Sequence, residues 1–153
     1  MGELTTNKNF LSPVGFQFVI NREKYGNVEY FCTAVTLPNI DITEVALPYR
    51  GSNHGVAGDR LNFSPLSITF NVTEDMENYI EMFNWMHDSI KQADTSETAE
   101  LQILNSHNNI AKTIRFNGIF PTSLDSLEFN TQNDSIEYLQ VSATFKYTNF
   151  EIL

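Results

Sequence analysis

Residues of the kinds that carry catalysis or bind metals are few and scattered along this chain. The three histidines, His54, His87 and His107, are far apart in sequence and show no metal-ligand spacing. Gly51, Gly55 and Gly58 precede a strand, so they lack the helix N-terminus that would hold a phosphate. No nucleophile elbow, Walker loop or zinc-binding helix motif occurs. The sequence therefore predicts a protein that is not an enzyme, with no catalytic residues, metal site or cofactor.

The remaining reactive side chains also favour a structural interpretation. Cys32 is the only cysteine and lies in the apolar stretch 30–35, whereas reactive thiols need cationic neighbours. Glu74 and Asp75 are adjacent carboxylates at the start of a predicted helix, where acids interact favourably with the helix dipole. We therefore predict a buried, inert thiol and no acid–base pair.

The charge balance limits the partners of the chain. Nine Lys and Arg stand against 19 Asp and Glu, which gives a net charge of −10. A body this acidic has no net attraction for the nucleic acid backbone or for an anionic membrane surface. No apolar run approaches the ~20 residues of a membrane span, so membrane anchoring is not predicted.

Acidic residues are concentrated in the segment 74–100, which contains eight acids and one base. Residues 76–92 have helical period, and this period places the single tryptophan, Trp85, among acids on the face opposite the apolar residues of the predicted helix. A solvated helix face would explain the charges alone, but an exposed tryptophan beside them is typical of a contact surface. We predict a docking face for a basic partner formed by Glu77, Glu81, Trp85 and Asp88.

Most apolar segments alternate with period two, which predicts strands. The clearest is 66–72, where Leu66, Ile68 and Phe70 alternate with polar residues. The longest predicted strand is Ile136–Tyr147. Residues 76–92 form the one segment with helical period, and their apolar stripe is expected to face the core; it comprises Tyr79, Ile80, Phe83, Met86, His87 and Ile90. The expected fold is a single mainly β domain, 1–153, built as a barrel or sandwich of two antiparallel sheets with one flanking helix.

Residues 37–65 fit a compact body poorly. They combine three prolines with three glycines and contain a strand-like stretch, Ile42–Tyr49. About thirty residues of mixed loop and strand inside one domain is long, and such segments tend to be functional. We predict an extended loop or hairpin arm that reaches another subunit.

Several segments together resemble the tail tube proteins of contractile-tailed bacteriophages. They are His54–Arg60 followed by Leu66–Val72, then Phe116–Ser123, Leu127–Phe129 and Ile136–Tyr147. The opening strand, the strand at 30–35 and the helix with Phe83-Asn84-Trp85 fall in the same order as in that family. The tube proteins of type VI secretion and extracellular injection systems are related to it.

The resemblance implies a structural subunit of a virion tail that is assembled in the host cytoplasm. Six copies would form a ring, and stacked rings would form a tube that conducts DNA without binding it specifically. The implied partners are further copies, a contractile sheath protein, baseplate or tube-initiator proteins and tail terminator proteins. Chain length favours the repeated tube subunit over tube-capping baseplate proteins.

Two sets of residues follow from this interpretation. The arm would make contacts between stacked rings, with Asp59 and Arg60 pairing across an interface; its candidate residues are Pro48, Arg50, Gly55, Gly58, Asp59 and Arg60. The acidic helix face would contact the sheath through Glu77, Glu81, Trp85 and Asp88.

Two alternatives remain open. The chain could be the tube subunit of a type VI-like or extracellular contractile injection system. A member of a different class, a monomeric ligand-binding β-barrel, would use some of the 12 phenylalanines to line an apolar cavity.

Overall fold

Strands make up most of the chain in the computed structural model, which describes residues 9–21, 24, 26, 28, 31–92, 94–132 and 137–153. The strands are β1 (Phe16–Val19), β2 (Cys32–Thr36), β3 (Ile40–Tyr49), β4 (Ser52–Phe63), β5 (Leu66–Asn71), β6 (Glu97–Leu104), β7 (Ile110–Leu124), β8 (Gln140–Lys146) and β9 (Asn149–Ile152). The helix α1 spans Glu77–Lys91, one residue shorter at each end than expected.

Strand β7 connects two antiparallel sheets. Its first part pairs with β6 and β9, and its last part, Phe120–Leu124, pairs with β8. The strand order is β1-β6-β7-β8-β5-β2, and all these pairs are antiparallel. The prediction of two antiparallel sheets with a flanking helix is therefore confirmed. In the described part of the chain, the terminal strands of this order, β1 and β2, do not pair with each other, so the sheets form no closed barrel there.

A left-handed residue allows β7 to serve both sheets. Gly118 has φ = +66°, a conformation that costs other residues free energy. A Cβ there would lie 2.8 Å from the Thr148 hydroxyl oxygen, which leaves no room for a side chain. Thr148 donates its backbone N–H to Asn117 O (2.8 Å), so the chain crosses from β8 to β9 opposite this bend.

The prediction of one long final strand is wrong in its extent. Ile136 lies outside the described residues, Glu137–Leu139 are not in a strand, and β8 covers only Gln140–Lys146. The longest strand is β7, with 15 residues. Pairing with two different sheets requires the chain to bend at Tyr147–Thr148, which separates β8 from β9.

Alternating apolar side chains from both sheets fill the core. In β5, Leu66, Ile68 and Phe70 are fully buried, as the period-two pattern predicts. Strand β8 contributes every second residue in the same way; the remaining buried apolar residues are Phe18, Ile20, Val28, Met82, Trp85, Ala99, Leu101, Ile114, Phe116, Ile119, Val141, Ala143 and Phe145. Complete burial of one such large side chain contributes about 1.5–3 kcal/mol. These side chains occupy the space that a ligand-binding barrel would need for its ligand.

The helix packs with a different face from the one expected. Its buried residues are Asn78, Met82 and Trp85, whereas Phe83 and Ile90 of the predicted core-facing stripe are 55% and 86% exposed. The prediction that Trp85 lies on the outer surface is therefore wrong, because its side chain is only 1% exposed.

Hydrogen bonds and packing area explain this rotation. The Trp85 Nε1–H donates to Thr95 O (2.9 Å), and the indole lies 5.8 Å from the Phe145 ring. Asn78 is also satisfied in the core, since its Nδ2 donates to Asn71 O and its Oδ1 accepts from the Thr73 N–H. The buried face thus combines a satisfied indole N–H with a satisfied core amide, and these long-range contacts fix the orientation of the helix.

Candidate assembly surfaces

Strands β3 and β4 form a separate two-stranded hairpin. All ten residues of β3 are exposed, and in β4 only Gly58 and Phe63 are half-buried. The turn contains Gly51 at φ = +86°. At the root, the Phe63 ring packs 5.2 Å from that of Phe150 and 6.1 Å from that of Tyr147. The predicted arm is thus a hairpin that extends from the body.

A bulge divides the hairpin into a root and a tip. Ile42 pairs with Leu61 and Glu44 pairs with Ala57, so one residue of β3 opposes three of β4. A Cβ on Gly58 would overlap the backbone oxygen of Thr43, so this position requires glycine. The Asn62 Nδ2 donates to Thr43 Oγ1 (2.8 Å) across the pair, which holds the strands together below the bulge.

The hairpin contains all six predicted ring-stacking residues. Pro48 and Arg50 lie at the tip, Gly55 pairs with Ala46 in the distal part, and the bulge brings together Gly58, Asp59 and Arg60. Because the hairpin extends from the body, these residues are positioned to meet another molecule. The pairing of Asp59 with Arg60 across an interface stays a prediction.

The hairpin also exposes an unusual amount of apolar surface. Its exposed large apolar side chains are Ile40, Ile42, Val45, Leu47, Tyr49, Val56 and Leu61. Isolated two-stranded hairpins are marginally stable in water, and contiguous exposed apolar surface marks an interaction site. The hairpin is therefore the strongest candidate interface of the described chain.

The four predicted sheath-facing residues are separated by the helix packing. Glu77 and Asp88 are exposed and Glu81 is half-buried, whereas Trp85 belongs to the core. Glu77 and Asp88 lie on the solvent-facing side of the helix. Trp85 has to be removed from this surface.

Sequence reasoning missed a groove on the flank of α1. The apolar stripe that it assigned to the core instead borders an open depression of about 630 Å³ against the end of β7. The apolar residues that line it are Tyr79, Phe83, Met86, Ile90, Phe120, Pro121 and Leu124. The His87 ring stacks on Phe83, with centroids 6.1 Å apart. The sequence does reveal the apolar stripe on the helix, but it does not reveal whether that stripe faces the core or a groove at the surface.

The reactive groups form no common site. His54, His87 and His107 lie on β4, on α1 and in the β6–β7 turn, and the described residues contain no cluster of three potential metal ligands. Cys32 is half-buried rather than buried, and its partial burial raises the pKa of the thiol to about 11. No helix within the described ranges is long and apolar enough to cross a bilayer. The surfaces described above offer apolar contact and charge, which are means of binding.

Sequence comparisons point to one kind of assembly. No family model matches the chain. The chain is 30% identical over 104 residues to the tail tube terminator protein of Enterobacteria phage T4. This alignment covers 62% of the chain and 59% of the length of the relative, so the chain spans less than two thirds of that protein.

Solved structures with the same fold belong to contractile injection systems. A chain of the sheath–tube complex of an extracellular contractile injection system, PVC, matches with a TM-score of 0.76, 14% identity and 99% coverage of both chains. The PVC sheath/tube terminator matches with a TM-score of 0.74, 14% identity and coverage of 96% and 99%. The tube-terminating cap of the anti-feeding prophage matches with a TM-score of 0.70, 15% identity and coverage of 99% and 95%. The predicted resemblance to contractile-tail tube proteins is confirmed.

Proposed function

We propose that this chain, which has the fold of contractile-tail tube proteins, is a ring-forming subunit that terminates the tube of a contractile tail or injection system. The observation that carries the proposal is the β3–β4 hairpin, because its exposed apolar side chains need a partner surface. The similarity to a phage tail tube terminator and to two tube-end structures supports the narrower role at the tube end.

In this proposal the hairpin joins the terminal ring to the last ring of the tube. The tip with Pro48 and Arg50 enters the neighbouring ring, and the bulge with Asp59 and Arg60 meets its rim. Docking would bury the apolar hairpin face, and this burial would stabilise both the hairpin and the joint between rings.

A ring that conducts DNA needs a channel surface that does not bind the DNA. The outward face of the β5–β8 pair carries the hydroxyls of Thr69 and Ser142, whose oxygens are 2.9 Å apart, with Lys146 exposed at the end of β8. The outward side of β6–β7 instead has the Glu100–Arg115 ion pair (3.2 Å). Whichever of these two faces lines the channel, the net charge of −10 on the subunit opposes adhesion of the negatively charged DNA backbone.

The remaining partners follow from the same assembly. Exposed Glu77 and Asp88 on α1 would contact basic residues of a sheath or sheath-terminating protein. The chain would be part of a virion tail or an injection particle that is assembled in the host cytoplasm. The tube would connect it to the baseplate or tube-initiator proteins.

A second candidate is the repeated tube subunit, which the sequence alone favoured. The match to the sheath–tube complex, with the whole of both chains aligned, supports it. The two roles differ in growth, since a tube subunit adds to itself without limit and a terminator does not.

Negative-stain electron microscopy and light scattering over a range of protein concentrations test the proposal. A terminator is expected to give single rings that cap preformed tubes, whereas a tube subunit would give long tubes. A molecule that stays monomeric at every concentration and ionic strength would exclude both roles.

A hairpin variant tests the carrying observation. Replacing residues 46–55 by Asn-Gly joins the paired residues Val45 and Val56 with a two-residue turn and retains the root. This variant is expected to form rings that no longer cap tubes. The matched control is His107→Ala in the exposed β6–β7 turn, and normal capping by the truncated variant would show that the hairpin is not the joint.

A further inference from the structure

An exposed apolar segment precedes the first strand. In residues Asn9–Val14, here called the N-terminal segment, Phe10 is 100%, Leu11 69% and Val14 83% exposed. The segment lies outside helices and strands, and Pro13 and Val14 form a turn just before β1. Three large side chains in six residues are thus presented to solvent, and Phe10 and Leu11 precede the turn.

The N-terminal segment and the α1 groove lie at opposite ends of β7. The segment borders the β6–β7 turn, beside Leu104 and Ala111, and Leu104 donates its N–H to Gly15 O (2.9 Å). The groove lies at the other end of the strand, against Phe120 and Leu124. From Ala111 to Asn117, before the bend at Gly118, β7 already covers about 20 Å, whereas Phe10 is five residues from Gly15 and reaches at most about 18 Å from it.

Two different patches at opposite ends of one molecule favour head-to-tail association. Such a heterologous contact repeats from copy to copy and closes into a ring when the rotation permits. We infer that the α1 groove binds the N-terminal segment of a second copy, a contact that rests on the ring-forming function proposed above. Phe10 and Leu11 of one subunit would then pack against Phe83 of the next.

Charge favours a second copy over the sheath as the occupant. The groove lining contains no carboxylate, and the N-terminal segment, Asn-Phe-Leu-Ser-Pro-Val, carries no charged side chain. A basic sheath segment would find no acid inside the groove to pair with. An uncharged apolar strand of chain can occupy it without leaving a buried charge unpaired.

Cross-linking between variants that each carry one introduced cysteine tests the contact directly. Leu11→Cys and Phe83→Cys proteins are mixed and treated with a short bismaleimide. Cross-linked dimers are expected from the mixture, but not from either variant alone. Asn84→Cys replaces Phe83→Cys as the matched control, because it is exposed on the same helix and does not line the groove. Wild-type protein accounts for any reaction at Cys32.

A charge substitution supplies a second measurement. Phe83→Glu is expected to weaken association between subunits by about 10- to 100-fold, the range that follows from exposing one buried aromatic side chain. Its thermal midpoint should match that of Asn84→Glu, because both side chains are exposed in the subunit.

The outcomes separate this inference from the proposed function. Rings that assemble without a Leu11–Phe83 cross-link, or Phe83→Glu rings that lose only the sheath, would overturn the inference and leave the ring-forming role standing. Leu11–Phe83 cross-linked dimers from protein that never assembles into rings would support the head-to-tail contact and refute the ring-forming function.

Discussion

Replacement of Trp85 by alanine is expected to destabilise the subunit strongly, because the indole belongs to the core. The side chain is 1% exposed, packs against Phe145 and donates a hydrogen bond to Thr95 O. Truncation of a buried tryptophan costs about 3–5 kcal/mol. That free-energy loss is a large part of a typical protein stability of about 5–15 kcal/mol. For a chain of this size it lowers the thermal midpoint by about 6–20 °C.

Urea unfolding followed by far-ultraviolet circular dichroism measures this loss without relying on the tryptophan that is removed. Trp85→Phe should lose less, about 1–2 kcal/mol, because it retains most of the apolar burial and forfeits the hydrogen bond. Asp88→Ala, exposed on the same helix, is the matched control and should stay within about 0.5 kcal/mol of wild type. Equal midpoints for Trp85→Ala and Asp88→Ala would show that the helix packs with another face, and the groove argument would fail with it.

Two further results are expected of the isolated subunit. Gly118→Ala should lower the free energy of unfolding by at least about 1–2 kcal/mol, because φ is +66° and the new Cβ would meet the Thr148 hydroxyl; wild-type stability in urea would show that β7 bends elsewhere. Alkylation of Cys32 by iodoacetamide should be slow in the native protein and accelerate only as the pH approaches 11, since burial raises the thiol pKa to about 11 from its ordinary value of 9.0. The same shift means that the fold loses stability as the pH rises from about 9 to about 11, and rapid native labelling at pH 8 would contradict the burial.

The period-two pattern was sufficient to predict that the chain forms antiparallel sheets. Leu66, Ile68 and Phe70 alternate with hydroxyl and amide residues, and each is buried as expected. The proline- and glycine-rich stretch was correctly identified as an arm, because its residues could not be placed inside a compact domain. Local pattern predicts such features because each depends on neighbours along the chain.

Long-range packing decided what the sequence could not. Which face of α1 is buried depends on two residues outside the helix. Thr95 O accepts the hydrogen bond of the Trp85 indole, and the Phe145 ring packs against that indole. The helical period reveals neither contact. Gly118 and Pro121 usually end a strand, yet β7 continues through both. Gly118 adopts the left-handed conformation at the bend, and Pro121 lies beside a register irregularity in the pairing with β8. The groove was missed for the first of these reasons.

The sharing of β7 between both sheets has a mechanical consequence. A force that pulls on β6 or β9 is transmitted through covalent backbone to the sheet that contains β8, rather than through side-chain contacts between layers. The two layers can slide past one another only if β7 breaks its ladders on one side of Gly118. A subunit built in this way suits a particle in which contraction delivers sudden axial load, because the load is spread over many backbone hydrogen bonds at once.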